Sequence, residues 1–341
     1  MTLAEAHKSA TPPTTSNMND PEPSQILSYR ISKYDLIDLT LSTLIFLFAL
    51  YTKTMLLVPL AAVYQERKLW LGEGLQPLTM YGMFKVYVFN LVWFSGSFFG
   101  CVILLFVRPF VNVSCLDYGV NAFVERVVGK MCVAICGPVE VHGVENLPSE
   151  SEPCIFAANH ASQLDIGASY FLDRRFKWIS KRSVVYMPGV GMVMILGRHL
   201  LLDRKGKSSI KRMYDQANYW LSGKSDGSPI FIFPQGTRCM SNRLPFKDGA
   251  FNMAINNAVP MVPISLSIPN NWWNDFYPFV SSQRSIIMTI HKPIVVTKDT
   301  DKEQLREECS NLVYSVLPPV PEAKINKGGG KAETKNIKKE E

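Results

Sequence analysis

The residues of this chain best suited to catalysis are a histidine and an aspartate five positions apart. Asn159, His160 and Asp165 lie in the segment NHASQLD, which follows the apolar run CIFAA. A histidine at the end of a strand is held on a rigid element, and a carboxylate about one turn further along can accept a hydrogen bond from its ring. Such a pair can take the proton of a substrate hydroxyl that attacks a thioester, so no protein nucleophile is required. A surface or helix-capping pair is the alternative.

A second candidate site follows the apolar run PIFIF. The segment FPQGTR, residues 233–238, contains Gln235, Gly236, Thr237 and Arg238. Glycine at a strand exit lets backbone N–H groups approach an anion closely, while threonine and arginine add a hydroxyl and a planar fork suited to phosphate. We interpret this segment as a phosphate-binding loop. A simple turn with an exposed arginine is the alternative.

Basic residues also mark the segment between these two sites. Residues 177–204, KWISKRSVVYMPGVGMVMILGRHLLLDR, combine basic side chains, a Pro-Gly-x-Gly turn and a long apolar run. Lys181 and Arg204 lie near predicted strand ends, where they could bind the phosphate of a lipid head group or of coenzyme A. Alternatively, they are ordinary solvated charges. After both sites, VPMVP at residues 259–263 leads into ISLSI, which we interpret as a buried strand that helps to line an acyl pocket.

Short apolar runs alternate with helical stretches from about residue 139 onward. The candidate strands are residues 154–158, 176–180, 200–203, 230–234, 261–267 and 286–291. The candidate helices are residues 166–172, 183–196, 208–221, 249–257 and 302–316. This alternation predicts an α/β fold with a mixed, mainly parallel sheet flanked by helices, and both candidate sites then follow strands of that sheet.

Two apolar stretches precede this region. Residues 39–63 are interrupted by Lys53, whereas residues 86–107 carry no charge. About 20 apolar residues in a helix cross a hydrocarbon core of about 30 Å, so the second stretch is long enough to span a membrane. In the first stretch, Lys53 and Pro59 suit a broken, re-entrant or interfacial helix pair as well as one span. We expect an N-terminal membrane-embedded helical segment rather than two core helices of a soluble protein.

These patterns divide the chain into four parts. Residues 1–35 are expected to form a disordered leader, residues 36–137 a membrane-anchoring helical region, residues 138–317 the catalytic domain, and residues 318–341 a disordered charged tail. The first 25 residues lack the apolar run of a secretory signal.

Charge and cysteine content argue against several classes of protein. The net charge of +7 and pI near 8.9 are moderately basic, which disfavours nucleic acid and favours anionic lipid or phosphate. The seven cysteines include no pair at two-residue spacing, so neither a disulfide framework nor a zinc site is predicted. We expect no metal and no cofactor. The lack of a Gly-x-Ser-x-Gly segment disfavours a serine-type lipid hydrolase.

Four blocks in this order resemble the glycerolipid acyltransferase family, most closely the lysophosphatidic acid acyltransferases. NHASQLD resembles the first block of the family, the basic segment that follows resembles the second, FPQGTR the third, and VPMVPISL the fourth. The resemblance covers roughly residues 139–296. Gln235 is a departure, because the family usually has glutamate there. Glutamine keeps a carbonyl acceptor but loses the negative charge.

The resemblance implies transfer of an acyl chain from acyl-CoA to the sn-2 hydroxyl of 1-acyl-glycerol-3-phosphate, which gives phosphatidic acid in phospholipid biosynthesis. His160 would deprotonate the hydroxyl, Asp165 would fix the ring tautomer, and Arg238 with Lys181 would hold the phosphate. Backbone amides near Gly236 would support the phosphate or the oxyanion. The alternatives are an acyltransferase for glycerol-3-phosphate or another lysophospholipid, and an inactive membrane scaffold.

The predicted site therefore has a catalytic and a binding part. His160 and Asp165 are the predicted catalytic residues, and acyl-CoA is a co-substrate beside a lysophospholipid acceptor. The predicted substrate-binding residues are Asn159, Lys181, Arg204, Gln235, Gly236, Thr237 and Arg238.

The C-terminus resembles a dilysine retrieval signal of the endoplasmic reticulum. Lys338 and Lys339 stand fourth and third from the end of the chain. Such a signal acts in the cytosol, where acyl-CoA is supplied. We therefore expect an integral membrane protein of the endoplasmic reticulum whose catalytic domain faces the cytosol.

Overall fold

The fold is described from a computed structural model. The structure describes residues 33–53, 56–110, 116–150, 152–203, 207–222, 227–276 and 285–319. The leader up to residue 32, Arg204, and the tail with Lys338 and Lys339 lie outside these ranges, so the predictions made for them stay predictions.

A central sheet organises the described part of the chain. Its strands are β1 (Val139–His142), β2 (Ile155–Ala158), β3 (Lys177–Lys181), β4 (Leu200–Leu202), β5 (Ile230–Ile232), β6 (Met261–Ser267) and β7 (Ile286–Ile290). Their spatial order is β1-β7-β6-β2-β5-β3-β4. Every neighbouring pair is parallel except β6 and β7. The mixed, mainly parallel sheet predicted from the sequence is therefore confirmed.

Three helices of 15 to 28 residues come first in the described chain. They are α1 (Lys33–Tyr51), α2 (Val58–Gly72) and α3 (Met80–Val107). Lys53 has a left-handed backbone (φ 57°) between α1 and α2, and Pro59 lies in the first turn of α2. The first apolar stretch is thus two helices, as a broken pair requires.

One helix in the described ranges is long and apolar enough to cross a membrane. Met80–Phe110 spans 31 residues with a mean hydropathy of 2.0, whereas the apolar part of α1, Leu36–Leu50, is too short. The hydroxyl of Thr79 caps the start of α3 by accepting a hydrogen bond from the Gly82 N–H at 3.0 Å. Only 39% of its most apolar window is buried, so most of that surface remains open.

Shorter helices connect the strands and flank the sheet. They are α4 (Leu116–Gly119), α5 (Arg126–Ala134), α6 (Leu164–Ser169), α7 (Val190–Leu196), α8 (Lys207–Leu221), α9 (Gly249–Asn257) and α10 (Lys302–Ser315), with a π-helical stretch at Val120–Glu125 between α4 and α5. The prediction of one helix over residues 183–196 is wrong for its first half. Pro188 and Gly189 separate a 3-10 turn, Arg182–Tyr186, from α7. Gly189 has φ 73°, and a Cβ there would lie 2.0 Å from the Phe94 carbonyl oxygen.

Both faces of the sheet are buried, as parallel strands require. Phe156 and Phe231 belong to a cluster on one face that also contains side chains of α1, α3, α5, α6 and α7. Ile155 and Ile230 belong to the cluster on the other face, with α8, α9 and α10. The N-terminal helices therefore share a hydrophobic core with the sheet.

Candidate active site

The candidate site lies at the edge of the sheet where the parallel strands β2, β3 and β5 end, which we call the carboxyl edge. His160 follows β2, Lys181 ends β3, and the loop with Arg238 follows β5. Because β5 lies between β2 and β3, these three segments open at one edge. Ligands of open α/β sheets bind at this edge.

His160 and Asp165 form the hydrogen-bonded pair that their spacing predicts. The ring Nδ1 of His160 lies 2.8 Å from Oδ2 of Asp165. The Asp165 side chain is fully buried, whereas 15% of the His160 side chain is exposed. Oδ2 also accepts hydrogen bonds from the backbone N–H groups of Ala161 at 2.6 Å and Ser162 at 2.8 Å. The carboxylate thus fixes both the ring and the turn that carries it.

This pairing determines which ring nitrogen can act on a substrate. A carboxylate that accepts from Ala161 and Ser162 can only accept from His160 as well, so Nδ1 carries the proton. In the neutral ring, Nε2 then holds the lone pair. No side chain in the described ranges hydrogen-bonds to Nε2, and the pair can therefore serve as a general base.

Aromatic stacking holds the flat face of His160. The ring of Phe233 lies parallel to it, with centroids 4.1 Å apart and planes 9° from parallel. Phe233 in turn stacks against Trp178 on β3, at 5.6 Å and 26°. Sequence reasoning assigned neither aromatic a place in the site, although Phe233 belongs to the matched block.

Trp178 is itself fixed by a buried polar network. Its indole N–H donates to the Tyr170 hydroxyl at 2.8 Å, and its backbone N–H donates to Nδ1 of His199 at 3.0 Å. Nδ1 of His199 therefore carries no proton, and Nε2 donates to the Glu125 carboxylate at 2.6 Å. Burial, together with the nearby Glu125 charge, raises the pKa of Tyr170 well above its ordinary value.

A buried ion pair lies at the start of β3. Nζ of Lys177 is 2.7 Å from Oδ2 of Asp117 and also donates to the Gly197 carbonyl at 2.8 Å. Burial lowers the pKa of Lys177, and the Asp117 charge opposes that shift. Burial would raise the pKa of Asp117, but the charge and hydrogen bond of Lys177, together with the charges of Arg198 and Arg175, lower that pKa.

Asn159 is tied to the neighbouring strand β6. Its amide N–H donates to the Leu266 carbonyl at 2.9 Å, and its amide oxygen accepts from the Leu266 N–H at 2.7 Å. The side chain is buried. These two bonds hold the chain to β6 directly before His160. The substrate contact predicted for Asn159 stays a prediction.

The loop after β5 turns sharply at Gly236. Its N–H donates to the Phe233 carbonyl at 2.9 Å, and its φ of 72° is one that glycine adopts without strain. Thr237 is exposed, and the substrate contact predicted for it stays a prediction. A Cβ at Gly236 would lie 2.8 Å from Nζ of Lys247, an exposed cation that sequence reasoning missed. Lys181, at the end of β3, is also exposed.

Gln235 contacts the backbone of His160. Its side-chain oxygen accepts a hydrogen bond from the His160 N–H, and the side chain is buried. In the opposite direction, the Cys239 N–H donates to the His160 carbonyl at 2.9 Å. Gln235 therefore joins the loop to the candidate base. A carboxylate at this position would accept the same bond.

Arg238 is paired with a residue of α2. Its Nη1 lies 2.8 Å from Oε2 of Glu66, which is almost fully buried, while 29% of the Arg238 side chain is exposed. Oε2 of Glu73, just after α2, accepts from the backbone N–H groups of Met240 at 2.8 Å and Ser241 at 2.9 Å. No sequence pattern indicates these contacts, because they join residues far apart in the chain.

Cysteines in the described ranges differ in their access to solvent. Cys239, beside Arg238, is partly exposed, whereas Cys101, Cys132, Cys136, Cys154 and Cys309 are buried. Burial raises the pKa of Cys136 and of Cys309 to about 12. Within the described residues, no group of three His, Cys, Asp or Glu side chains could hold a metal ion.

The sequence around this site matches a family of known proteins. The family model described as Acyltransferase matches residues 138–267, which include the His160 pair and the Gly236 loop. A 1-acyl-sn-glycerol-3-phosphate acyltransferase of Chlamydomonas reinhardtii is 33% identical over 187 residues, 53% of each chain. The chain spans about half the length of this and the next most similar curated relatives.

Another relative is covered more fully. The 1-acyl-sn-glycerol-3-phosphate acyltransferase alpha of Homo sapiens is 34% identical over 256 residues, 72% of this chain and 84% of its own length. A solved structure, the LPA acyltransferase PlsC from Thermotoga maritima, has a TM-score of 0.49 and 20% identity, and covers 67% of this chain and 92% of its own. From the matched sequence blocks and the human relative, the chain belongs to the glycerolipid acyltransferase family, among whose members it is similar to the 1-acyl-sn-glycerol-3-phosphate acyltransferases.

Proposed function

We propose that this chain transfers an acyl chain from acyl-CoA to the sn-2 hydroxyl of 1-acyl-glycerol-3-phosphate, giving phosphatidic acid and free coenzyme A. The observation that carries the proposal is the His160–Asp165 pair at the carboxyl edge, 2.8 Å between Nδ1 and Oδ2, beside a loop that presents an arginine. The names of the relatives give the acceptor class.

The pair supports transfer without a covalent enzyme intermediate. Nε2 of His160 takes the proton of the sn-2 hydroxyl as its oxygen attacks the thioester carbon, and Asp165 stabilises the imidazolium that forms. When the tetrahedral intermediate collapses, the C–S bond breaks. The imidazolium then returns its proton to the leaving sulfur of coenzyme A, which restores the neutral ring.

Cationic side chains near the loop fit the acceptor's phosphate. Arg238 is partly exposed, and Lys181 and Lys247 are exposed near the same edge. A guanidinium binds phosphate through a planar fork, whereas a lysine adds a mobile point charge. Arg238 and Lys181 are the proposed phosphate ligands, and backbone amides near Gly236 would support the phosphate or the oxyanion.

The open surface of the N-terminal helices fits a lipid environment. Phe48 of α1, Met80 and Phe106 of α3, and Phe110 are large apolar side chains that are mostly exposed. Large exposed apolar side chains of this kind fit a membrane or partner surface. We propose an integral membrane protein of the endoplasmic reticulum with its catalytic domain facing the cytosol. A dilysine signal such as Lys338 and Lys339 is recognised in the cytosol, and acyl-CoA is supplied there.

The contact made by Gln235 disfavours the inactive scaffold. Its oxygen holds the His160 N–H as a carboxylate would, so the change from the usual glutamate leaves the base in place. The Gln235→Glu variant should therefore retain activity. Complete inactivity of the wild type together with strong activity of this variant would contradict that reasoning.

An acceptor panel tests the proposed function. The purified full chain is incubated with labelled acyl-CoA and with lysophosphatidate, glycerol-3-phosphate, lysophosphatidylcholine or no acceptor. We expect label in phosphatidic acid, and its loss in His160→Ala. Transfer to lysophosphatidylcholine or glycerol-3-phosphate but not to lysophosphatidate would refute the proposed acceptor. Fatty acid released without an acceptor would indicate hydrolysis instead.

A further inference from the structure

Two acidic side chains near the end of α2 contact the loop that carries Arg238. Glu66 lies on α2, and Glu73 directly follows its last residue. Glu66 pairs with the Arg238 side chain, and Glu73 accepts from two consecutive backbone N–H groups just after it. Both the side chain and the main chain of the loop are therefore held from outside the region that the family model matches, residues 138–267.

Burial makes the Glu66 contact a permanent one. The Glu66 side chain is 3% exposed, and Arg238 is its hydrogen-bonding partner in the described ranges. Separating the buried carboxylate from its cation would leave its charge uncompensated in an apolar surrounding, which is unfavourable. Glu66 therefore keeps Arg238 during binding rather than releasing it to a ligand.

Arg238 retains donors for an anion while it is held. The contact with Glu66 uses Nη1, and a guanidinium has five N–H donors in one plane. With 29% of the side chain exposed, the remaining edge can face solvent at the carboxyl edge. Arginine recognises phosphate through the direction of its fork, so the residue that fixes that direction affects recognition.

We propose that Glu66 is a positioning residue for the phosphate of the acceptor, acting through Arg238. This inference rests on the proposed function and deepens it, because it makes α2 part of the acceptor site rather than only a membrane anchor. Glu73 supports it by fixing the backbone at Met240 and Ser241.

Kinetics of purified full-length variants test the proposal. Glu66→Ala frees Arg238, and an arginine that must be immobilised again on binding loses about 0.5–1.5 kcal/mol. We expect the KM for lysophosphatidate to rise about three- to tenfold, with the KM for acyl-CoA unchanged. Glu66→Gln keeps an acceptor oxygen for Nη1, so its KM should stay at or below the wild-type value. Gln65→Ala, an exposed change on the same helix, is the matched control.

The pattern across variants separates three roles. A KM lowered in both Glu66 variants would show that the carboxylate competes with the phosphate, which overturns the proposal. A lower kcat with unchanged KM in both would show a purely structural role, which also overturns it.

A binding measurement distinguishes failure of this proposal from failure of the proposed function. Lysophosphatidate is titrated into two proteins, the His160→Ala variant and the His160→Ala, Glu66→Ala double variant. Binding is measured as the shift in the thermal unfolding midpoint of each protein. Weaker binding without Glu66 supports the positioning role even if no turnover is seen. Equal binding refutes that role, whereas an inactive wild type in the acceptor panel refutes only the proposed function.

Discussion

Replacing Asp165 by asparagine should remove the charge behind His160 while leaving its shape. An amide oxygen in the place of Oδ2 can still accept from the Ala161 and Ser162 N–H groups and from Nδ1. The NH2 group then takes the place of Oδ1, a buried atom with no hydrogen-bond partner among the described residues. An unpaired buried donor costs about 1–3 kcal/mol, so we expect a modest loss of stability.

The loss in rate should be much larger than the loss in stability. Unit charges 2.8 Å apart attract by about 6 kcal/mol at an effective dielectric constant of about 20. Both charges are spread over several atoms, so we take about 4 kcal/mol as the stabilisation of the imidazolium by Asp165. Because about 1.4 kcal/mol corresponds to a tenfold change in rate, Asp165→Asn should lower kcat roughly a thousandfold.

Steady-state acyl transfer to lysophosphatidate, with the thermal midpoint of the same preparations, measures both effects. Asp299→Asn, which changes an exposed carboxylate, is the control and should match the wild type. A folded Asp165→Asn protein whose kcat lies within tenfold of the wild type would show that this charge does not act in the transition state.

Three further changes test other parts of the structure. Lys177→Met leaves Asp117 buried without its cation, so it should lower the free energy of chemical unfolding by about 3–5 kcal/mol. Adding Asp117→Leu should restore most of that stability. A Lys177→Met variant as stable as the wild type would contradict the ion pair. Gly236→Ala places a side chain where φ is 72° and should lower stability by about 1–2 kcal/mol and raise the KM for lysophosphatidate, because the turn must shift; unaltered kinetics would show that this turn does not shape the acceptor site. Cys239 is partly exposed, so a maleimide should inactivate the enzyme through its thiol, and lysophosphatidate should protect against this inactivation. The Cys239→Ser variant should be resistant. Equal inactivation of this variant would show that the sensitive thiol is another cysteine.

The strands around the site could be predicted because each is a short apolar run that ends in a polar motif. Residues 154–158 and 230–234 were predicted as strands, and β2 and β5 lie within them. The helix α9 has the predicted bounds. By contrast, β1 was not predicted, because a four-residue strand at the edge of the sheet alternates half-buried and exposed residues and has little apolar signal.

Contacts between distant residues account for most of what the sequence did not reveal. The spacing of His160 and Asp165 predicted their hydrogen bond, because one turn of chain joins them. The partner of Arg238 could not be found in this way, since Glu66 lies on a helix 172 residues earlier. Gln235 was predicted only as a substrate-binding residue. The hydrogen bond that its oxygen accepts from the His160 N–H depends on how the loop after β5 folds against β2.

The central place of β2 in the sheet constrains the order in which the domain is completed. Both of its neighbours, β5 and β6, are synthesised well after it, whereas α1, α3 and α5, whose side chains share a hydrophobic cluster with Phe156, are synthesised before it. During translation, β2 therefore has an apolar covering before it has either hydrogen-bonded neighbour. Because Asn159 is clamped by Leu266 of β6, the turn that carries His160 is ordered late. The candidate base His160 is therefore held in place only after β6 has been synthesised.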